Sequence, residues 1–283
     1  MKLGIIGLKG SGKTTVFRVL THGKIAHPPL EVAPQLEVIP PNTASIKVPD
    51  PRLDFLASVF KPKKTTYAIF EFIDPPGFAK ATLSLLQTVD ALIHVIPSFG
   101  EFKEPIKYFD EVMGEIEQIE SLSQKPMVLI LNRGEEVNNE IIERAEKQSL
   151  PLVDFNAKLE LEIEEFEPNE RDEYEKEFGI GEPPLQRFIR IGYPGLKIIT
   201  FFTVVGDEVK AWQLNPETPV VRAAGKVHSD MERGFIRAQI IGYEDFKSVG
   251  SFGLAKEKGL IRVVNRDYIV QDGDIIEFRF HVR

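Results

Sequence analysis

The apolar positions of the chain fall into short runs that alternate with helix-like repeats. Residues 3–6, 91–96 and 127–131 form runs typical of buried strands, whereas 16–20 and 111–122 carry apolar side chains at helical spacing. The same alternation predicts a strand at 67–73, a helix at 138–148, a strand at 150–155 and a helix at 185–193, broken by Pro194-Gly195. Such alternation indicates an α/β fold with a mostly parallel sheet covered on both faces.

The pattern changes near residue 196. Residues 198–205 and 208–212 straddle Gly206-Asp207 and predict a hairpin, followed by a short helix near 220–224. Later strands are expected at 235–240, 261–264, 268–270 and 275–280, with a loop region after the first of them. This order predicts a small α+β, β-grasp-like domain. We therefore expect two domains, residues 1–195 and residues 196–283.

Two stretches interrupt the periodic pattern. Residues 26–50 are rich in proline and poor in periodicity, which predicts a long loop. Residues 160–177 are crowded with glutamate, which predicts a solvated helix face and a short linker.

A glycine-rich segment follows the first strand. Residues 7–15 read GLKGSGKTT and fit the phosphate-binding pattern G-x-x-x-x-G-K-[ST]. In this pattern Lys13 reaches the β and γ phosphates, Thr14 places its hydroxyl on Mg²⁺, and Thr15 lies near the α phosphate. Residues predicted to contact a nucleotide are Lys9, Gly10, Ser11, Gly12, Lys13, Thr14 and Thr15. The segment predicts a triphosphate cradle at a helix N-terminus.

A second motif, D-x-x-G, ends the strand predicted at 67–73. Asp74 is the candidate carboxylate for the Mg²⁺ shell, and Gly77 is the candidate backbone donor to the γ phosphate. Phe78 stands where many GTPases carry the glutamine that positions water. Val38 stands where the first switch normally offers a threonine to Mg²⁺. These two residues predict slow hydrolysis.

The base-binding motifs point in two directions. The segment from Asn132 to Glu135 occupies the place of N-K-x-D, and glutamate is one methylene too long for the paired donors of guanine. The amide of Asn132 suits the N6 and N7 edge of adenine, which predicts ATP over GTP. The triplet containing Ala157 (Asn-Ala-Lys) resembles the S-A-K that closes over guanine, and an ordinary loop accounts for it equally well.

Composition restricts the remaining choices. The formal charge of −8 argues against broad nucleic-acid binding but allows a local basic face, and the absence of cysteine excludes disulfides and thiolate chemistry. No long apolar run or leader-like segment is evident, so we expect a cytoplasmic protein without membrane association. His94 lies within an apolar run and is expected to be a packed core residue rather than a catalytic one.

These motifs together resemble the YchF subfamily of Obg-related P-loop NTPases. The specific pieces are residues 41–43, 48–54, 132–135 and 225–238, the last similar to the signature of the family's ubiquitin-like TGS domain. The resemblance implies a Ras-like nucleotide domain that prefers or tolerates ATP, a hydrophobic residue in place of the catalytic glutamine, and association with ribosomes or translation. The chain departs from the family in Val38, in a short second switch, and in lacking most of a helical insertion between Ile96 and Met127.

Three functions follow as hypotheses. The first is a nucleotide-binding switch with slow ATP or GTP hydrolysis, dependent on Mg²⁺. The second is a module that binds nucleotide without turnover and contacts ribosome or RNA through the terminal domain. A small-molecule kinase is disfavoured because no arginine-rich lid lies between the motifs. Exposed cations expected on a partner face of the terminal domain are Lys226, His228, Arg233, Arg237, Lys256 and Lys258, although scattered solvated charges account for them equally well.

Overall fold

A computed structural model describes residues 1–22, 41–76, 80–135, 138–164, 166 and 182–281. The chain divides into two compact units. The first comprises Met1–Ile46 and Phe70–Leu196, and the second comprises Lys47–Ile69 and Lys197–Arg283. None of the described helices combines the length and the apolar composition that a membrane span requires.

The helices and strands are numbered in chain order. The strands are β1 (Lys2–Ile6), β2 (Asn42–Lys47), β3 (Lys64–Thr66), β4 (Ile69–Asp74), β5 (Ala91–Ser98), β6 (Met127–Arg133), β7 (Leu152–Phe155), β8 (Ile199–Val205), β9 (Glu208–Leu214), β10 (Phe235–Gly242), β11 (Arg262–Val264) and β12 (Asp274–Phe280). The helices are α1 (Lys13–Thr21), α2 (Pro51–Phe60), α3 (Lys80–Gln87), α4 (Pro105–Glu117), α5 (Glu120–Ser123), α6 (Asn139–Lys147), α7 (Ala157–Glu164), α8 (Pro184–Gly195), α9 (Val220–Val227), α10 (Ser229–Arg233), α11 (Tyr243–Val249) and α12 (Phe252–Glu257).

The first unit is built on a sheet with the order β2-β4-β1-β5-β6-β7. Strand β1 pairs in parallel with β4 and β5, and β6 pairs in parallel with β5 and β7. One core packs α4, α5 and α6 against strand residues such as Leu92 and Leu129. Because these strands run in one direction, the segments that follow β1, β4, β6 and β7 meet at one edge of the sheet. This is the edge at which ligands bind in open α/β sheets.

The second unit is a mixed sheet with the order β11-β10-β12-β8-β9-β3. Strands β8 and β9 form an antiparallel hairpin, β12 pairs in parallel with β8, and β10 pairs antiparallel with β11 and β12. Helix α9 buries Val220, Ala223 and Ala224 in a core with strand residues such as Phe201 and Ile276. Two hairpin-like pairs joined through a parallel central pair, with a helix on one face, are the arrangement expected for a β-grasp domain.

Residues 47–69 cluster with the second unit, although the sequence suggested a boundary only near 196. Strand β3 pairs in parallel with β9, from Lys64 opposite Glu208 to Thr66 opposite Lys210. In helix α2, Phe60 stacks on Phe246 with ring centroids 5.3 Å apart. Pairing and stacking across a long sequence separation therefore attach this stretch to the C-terminal sheet.

Several predicted elements differ from the structure. Residues 42–47, predicted as loop, form β2, and α2 was not anticipated although Asp50 caps its N-terminus by accepting from the backbone N–H of Arg52 at 2.9 Å. Helices α11 and α12 occupy the predicted loop region after β10. The strand expected at 268–270 is an isolated bridge between Pro219 and Ile269. Helix α8 continues through Pro194, which lies in its last turn.

Candidate functional site

The segment from Gly7 to Gly12 connects β1 to α1. Gly10 and Gly12 have φ values of +84° and +86°, a left-handed conformation that side chains rarely adopt. No side chain of the described residues caps α1, so the first backbone N–H groups of this nine-residue helix are left to an external acceptor. The local fold therefore has the backbone geometry of an anion-binding helix N-terminus.

Lys13 folds back over this segment. Its ammonium group donates to the carbonyl oxygens of Gly7 at 2.9 Å and Leu8 at 2.7 Å. An ammonium group has three donors, so these two bonds fix its direction and leave one for a phosphate oxygen. Burial lowers the pKa of Lys13, and the nearby charge of Asp74 opposes that shift. A partly desolvated ammonium group interacts more strongly with an anion than a solvated one does.

Thr14 and Asp74 meet at the edge of the sheet. The Thr14 hydroxyl donates to Oδ2 of Asp74 at 2.8 Å, and the side-chain amide of Asn42 donates to the same oxygen at 3.0 Å. A hydroxyl and a carboxylate are oxygen ligands of the kind that Mg²⁺ prefers. The described residues contain no group of three or more His, Cys, Asp or Glu side chains suited to a metal. A cation here would therefore need oxygens from a phosphate and water, as Mg²⁺ commonly does.

Asn132 joins three segments of the site. It is only 5% exposed, and its amide nitrogen donates to the carbonyl of Ser11 at 3.0 Å while its oxygen accepts from the backbone N–H of Ala157 at 3.2 Å. A methyl group added at Gly12 would collide with this amide nitrogen. The predicted base-contacting amide thus holds the glycine-rich segment against the start of α7.

The other residues predicted to contact the nucleotide lie around this centre. Lys9, Gly10 and Glu135 are exposed, and Thr15 is half-buried on α1. Ser11 is buried, and its hydroxyl has no hydrogen-bond partner among the described residues.

The end of β6 is held by two residues of the predicted base-binding motif. The Arg133 guanidinium forms an ion pair with Asp154 at 2.9 Å, and the backbone N–H of Gly134 donates to the carbonyl of Ser98 at 3.0 Å. These contacts fix the backbone immediately before Glu135.

Three residues from the sequence argument lie outside the described part of the chain. They are Val38, Gly77 and Phe78. The γ-phosphate donor role of Gly77 and the hydrolytic consequences of the other two stay predictions.

His94 is a core residue, as the sequence indicated. It is 1% exposed on β5 and stacks on Phe109 with ring centroids 5.6 Å apart. Burial, with a smaller contribution from the charge of Lys13, lowers its pKa to about 3. The imidazole is therefore neutral at physiological pH.

Two groups of residues near the site were not singled out from the sequence. Asn42 was noted only as part of a family-like tripeptide, and its contact with Asp74 needs the strand pairing to be known. Phe99 and Phe102, with ring centroids 5.5 Å apart, lie beside the glycine-rich segment. A methyl group added at Gly10 would lie 3.3 Å from Phe102, and one added at Gly12 would lie 4.0 Å from Phe99. The sequence did carry one signal for these two residues, which is an aromatic pair directly after a buried strand.

One family model matches the C-terminal part of the chain. The family described as "YchF-GTPase_C: Protein of unknown function (DUF933)" matches residues 198–281. These residues include β8 to β12 and so cover most of the second unit.

Relatives match along nearly the whole chain. The proteins named "Ribosome-binding ATPase YchF" from Escherichia coli and Haemophilus influenzae are each 30% identical over 364 residues, covering 99% of this chain and 99% of the relative. The protein of the same name from Bacillus subtilis is 29% identical over 367 residues, again covering 99% of each.

Solved structures share the fold. The Schizosaccharomyces pombe YchF GTPase superposes with a TM-score of 0.77 at 21% identity, covering 99% of this chain and 97% of that one. A GTP-binding protein from Pyrococcus horikoshii gives a TM-score of 0.58 at 16% identity, covering 99% and 100%. These likenesses confirm the predicted P-loop NTPase-like sheet. Family membership follows from the relatives that are 30% identical along nearly the whole chain: the chain belongs to the YchF family.

Proposed function

We propose that this chain is a ribosome-associated nucleotide switch that binds ATP or GTP with Mg²⁺ and hydrolyses it slowly. The observation that carries the proposal is the convergence of Lys13, Thr14 and Asp74 at the N-terminus of α1. The ammonium group of Lys13 is held over the glycine-rich segment by two carbonyls, and the Thr14 hydroxyl is held by Asp74. This places a cation for phosphate beside oxygen ligands for Mg²⁺.

The names of the relatives support the same function. The Escherichia coli and Bacillus subtilis proteins are named as ribosome-binding ATPases, and the Schizosaccharomyces pombe structure is titled a GTPase. We propose ATP as the preferred nucleotide here because Glu135 replaces the aspartate that accepts from guanine. Asn132 retains one amide N–H for an adenine edge after donating the other to Ser11.

The bound Mg²⁺ would neutralise charge on the β and γ phosphates. The chain's own residues would bind and orient the substrate: Lys13 at the phosphates, Thr14 and Asp74 at the cation, and Gly77 as a backbone donor. No side-chain base for water was found in the sequence, so turnover is proposed to rest on electrostatic stabilisation and to be slow.

Nucleotide titration of a lysine variant tests the site. Lys13→Ala should weaken ATP and GTP affinity by more than about tenfold, because it removes a charge-assisted contact to phosphate. Lys107→Ala is the matched control, since Lys107 is exposed and pairs with Glu104 at 3.2 Å on the surface of the first unit. Unchanged affinity in Lys13→Ala would refute the assignment.

A second candidate function is regulated binding without turnover. Phe78 in place of the water-positioning glutamine favours it. Multiple-turnover phosphate release by the wild-type chain, above the rate of Lys13→Ala and measured with and without ribosomes, would exclude this candidate. If the wild-type chain releases phosphate no faster than Lys13→Ala, both with and without ribosomes, binding without turnover is supported.

We propose that the second unit is the TGS-like, ribosome-binding or RNA-binding part of the chain. All six cations of the predicted partner face are exposed. Arg233 pairs with Asp230, whereas Arg237, Lys256 and Lys258 have no ion pair among the described residues. Their charges are therefore available to phosphate groups.

Charge reversal in the full chain tests that surface. Arg237→Glu, Lys256→Glu and Lys258→Glu together should weaken salt-sensitive co-sedimentation with ribosomes. The control combines Lys103→Glu, Lys107→Glu and Lys147→Glu, three exposed lysines of the first unit. Equal co-sedimentation of the two triple variants would count against the proposed surface.

The chain is also proposed to be a shortened family member. The alignment to the Escherichia coli relative runs over 364 residues, more than the 283 of this chain, so part of it faces gaps here. The short connection between β5 and β6 is where the sequence departs from the family. Any function that depends on the helical insertion is not proposed for this chain.

A further inference from the structure

Asp74 is held by two donors that bond to one of its oxygens. Its side chain is 3% exposed, and Oδ2 accepts from the Thr14 hydroxyl at 2.8 Å and from the Asn42 amide at 3.0 Å. No hydrogen bond to Oδ1 is found among the described residues. The two donors therefore orient the carboxylate through Oδ2, and within the described part of the chain Oδ1 can face a cation or its water.

The Thr14 contact is compatible with a bound cation. A hydroxyl has one hydrogen and two lone pairs, and the hydrogen of Thr14 is donated to Asp74. Both lone pairs are then left to face a cation. Thr14 alone does not fix the plane of the Asp74 carboxylate, because the carboxylate can still rotate about a single hydrogen bond.

Asn42 supplies the second point of attachment. It is the first residue of β2, which neighbours β4 in the sheet, and Asp74 is the last residue of β4. Its amide comes from a regular strand rather than from a loop. Its side-chain oxygen has no hydrogen bond among the described residues and can accept from cation-bound water.

The hydrogen bond from Asn42 to Asp74 matters because a nearby position lacks the polar side chain that is usual there. The position that normally supplies a cation-binding threonine is Val38, which has no polar side-chain atom. Asn42 is four residues farther along the chain, at the start of β2, and the structure brings its polar side chain to Asp74.

We propose that Asn42 is a positioning residue for the nucleotide-bound cation. It orients Asp74, so that the segment after α1 contributes to cation binding through Asn42 although Val38 cannot. The inference rests on the proposed function, because it assumes that the chain binds a nucleotide with Mg²⁺. Residues that hold metal-site ligands in place commonly change metal affinity by about 10- to 100-fold when removed.

The test separates cation affinity from nucleotide affinity. Fluorescent ATP and GTP analogues are titrated into the full chain, first with EDTA and then with Mg²⁺ or Mn²⁺ varied at saturating nucleotide. Asn42→Ala should weaken the apparent cation affinity about tenfold and leave nucleotide affinity in EDTA within about twofold. Asn42→Leu has nearly the same shape but neither an amide donor nor a charge, and should bind the cation no better than the alanine variant if donation is the function.

Two further variants keep the result interpretable. Thr43→Ala changes the next residue of β2 and should leave cation affinity unchanged. Asn42→Gln retains an amide on a longer stem and should recover part of the lost affinity, which a general loss of folding would not allow. The electron paramagnetic resonance spectrum of bound Mn²⁺ should change in Asn42→Ala and not in Thr43→Ala.

The outcomes distinguish the inference from the proposed function. If the wild-type chain binds neither analogue under any condition, the proposed function fails and the inference fails with it. If the wild-type chain shows cation-dependent binding and Asn42→Ala or Asn42→Leu retains the same cation affinity, only the role of Asn42 is overturned.

Discussion

The two units are assembled from the chain in different ways. In the first unit, parallel strands follow one another with helices between them, and the site forms where consecutive segments leave one edge of the sheet. In the second unit, the C-terminal sheet incorporates residues 47–69, whose strand β3 pairs with β9. The first arrangement can be predicted from motifs near one another in sequence, whereas the second depends on pairing between distant segments.

The largest expected effect comes from the aromatic cluster of the second unit. Phe246 is fully buried and lies 5.3 Å from Phe60 and 5.1 Å from Phe252, between ring centroids. Phe246→Ala should cost about 3–5 kcal/mol of unfolding free energy through lost burial and a cavity. Urea denaturation followed by fluorescence of Trp212, the sole tryptophan and a residue of β9, measures it.

The matched control is Phe252→Ala. Phe252 belongs to the same cluster but is 36% exposed, so its removal should cost clearly less. If Phe246→Ala and Phe252→Ala lost the same free energy of unfolding, burial would not determine how strongly this aromatic cluster stabilises the second unit.

The next effect tests the glycine-rich segment of the first unit. Gly12→Ala forces a side chain into φ +86° and against the amide of Asn132, and such strain costs about 1–3 kcal/mol. If that strain falls on the nucleotide-competent conformation, affinity should drop roughly 10- to 100-fold in a fluorescent nucleotide titration. Gly114→Ala in α4, where an added methyl meets nothing within 4 Å, is the control. A variant at position 12 that bound like the control would contradict the tight packing between this glycine and Asn132.

A smaller effect tests the attachment of α2 by charge. Arg52 pairs with Asp50 at 2.9 Å and Asp272 at 2.7 Å and lies over the ring of Phe202. Its hydrogen bonds to both carboxylates raise its pKa despite the opposing effect of burial. Arg52→Ala should cost about 1–2 kcal/mol, less than a buried pair because Asp272 is half exposed.

A double-mutant cycle with Asp272→Ala isolates the second of these contacts. Arg222→Ala, which removes an exposed pair with Glu232, is the reference and should be nearly neutral. A loss at Arg52 no larger than at Arg222 would mean that ring stacking and strand pairing, rather than charge, attach residues 47–69 to the C-terminal sheet.

The smallest effect concerns His94. Its pKa falls from the usual value of 6.5 to about 3 in the fold, so the unfolded chain binds a proton that the folded chain rejects. The contribution of His94 to the free energy of unfolding is therefore largest well above pH 6.5, and it decreases as the pH falls toward 3. Between pH 7 and 5.5 the expected loss is about 1 kcal/mol.

His94→Leu should remove that part of the pH dependence. Denaturation followed by circular dichroism at pH 7 and 5.5 compares the variant with the wild type. The stability difference between the two proteins should change with pH, and a constant difference would show that His94 is protonated equally in the folded and unfolded states.

Much of the first unit could be predicted from local sequence. The apolar run 127–131 lies within β6, and the glycine-rich segment lies between β1 and α1 as its motif requires. Side-chain partners could not be predicted in this way. The bonds of Asn132 to Ser11 and Ala157, and of Asn42 to Asp74, depend on which strands are neighbours in the sheet.

The second unit was less predictable for a related reason. Its hairpin β8–β9 followed from the Gly206-Asp207 turn, but the addition of β3 required pairing across about half of the chain. Helix α2 carried a start signal in Asp50 followed by Pro51, which the prominence of prolines in the preceding stretch obscured. Local signals identify elements, whereas long-range pairing decides to which unit they belong.

Strand β3 has a consequence for how the protein behaves at high concentration. It is the outer strand of the second sheet, covers part of β9, and places Lys63 and Lys64 near that margin in ion pairs with Asp207 and Glu208. Unpaired strand margins recruit other chains, and short, lysine-bearing outer strands are a common protection. We therefore expect the stretch that joins two parts of the first unit in sequence to protect the second sheet from aggregation as well.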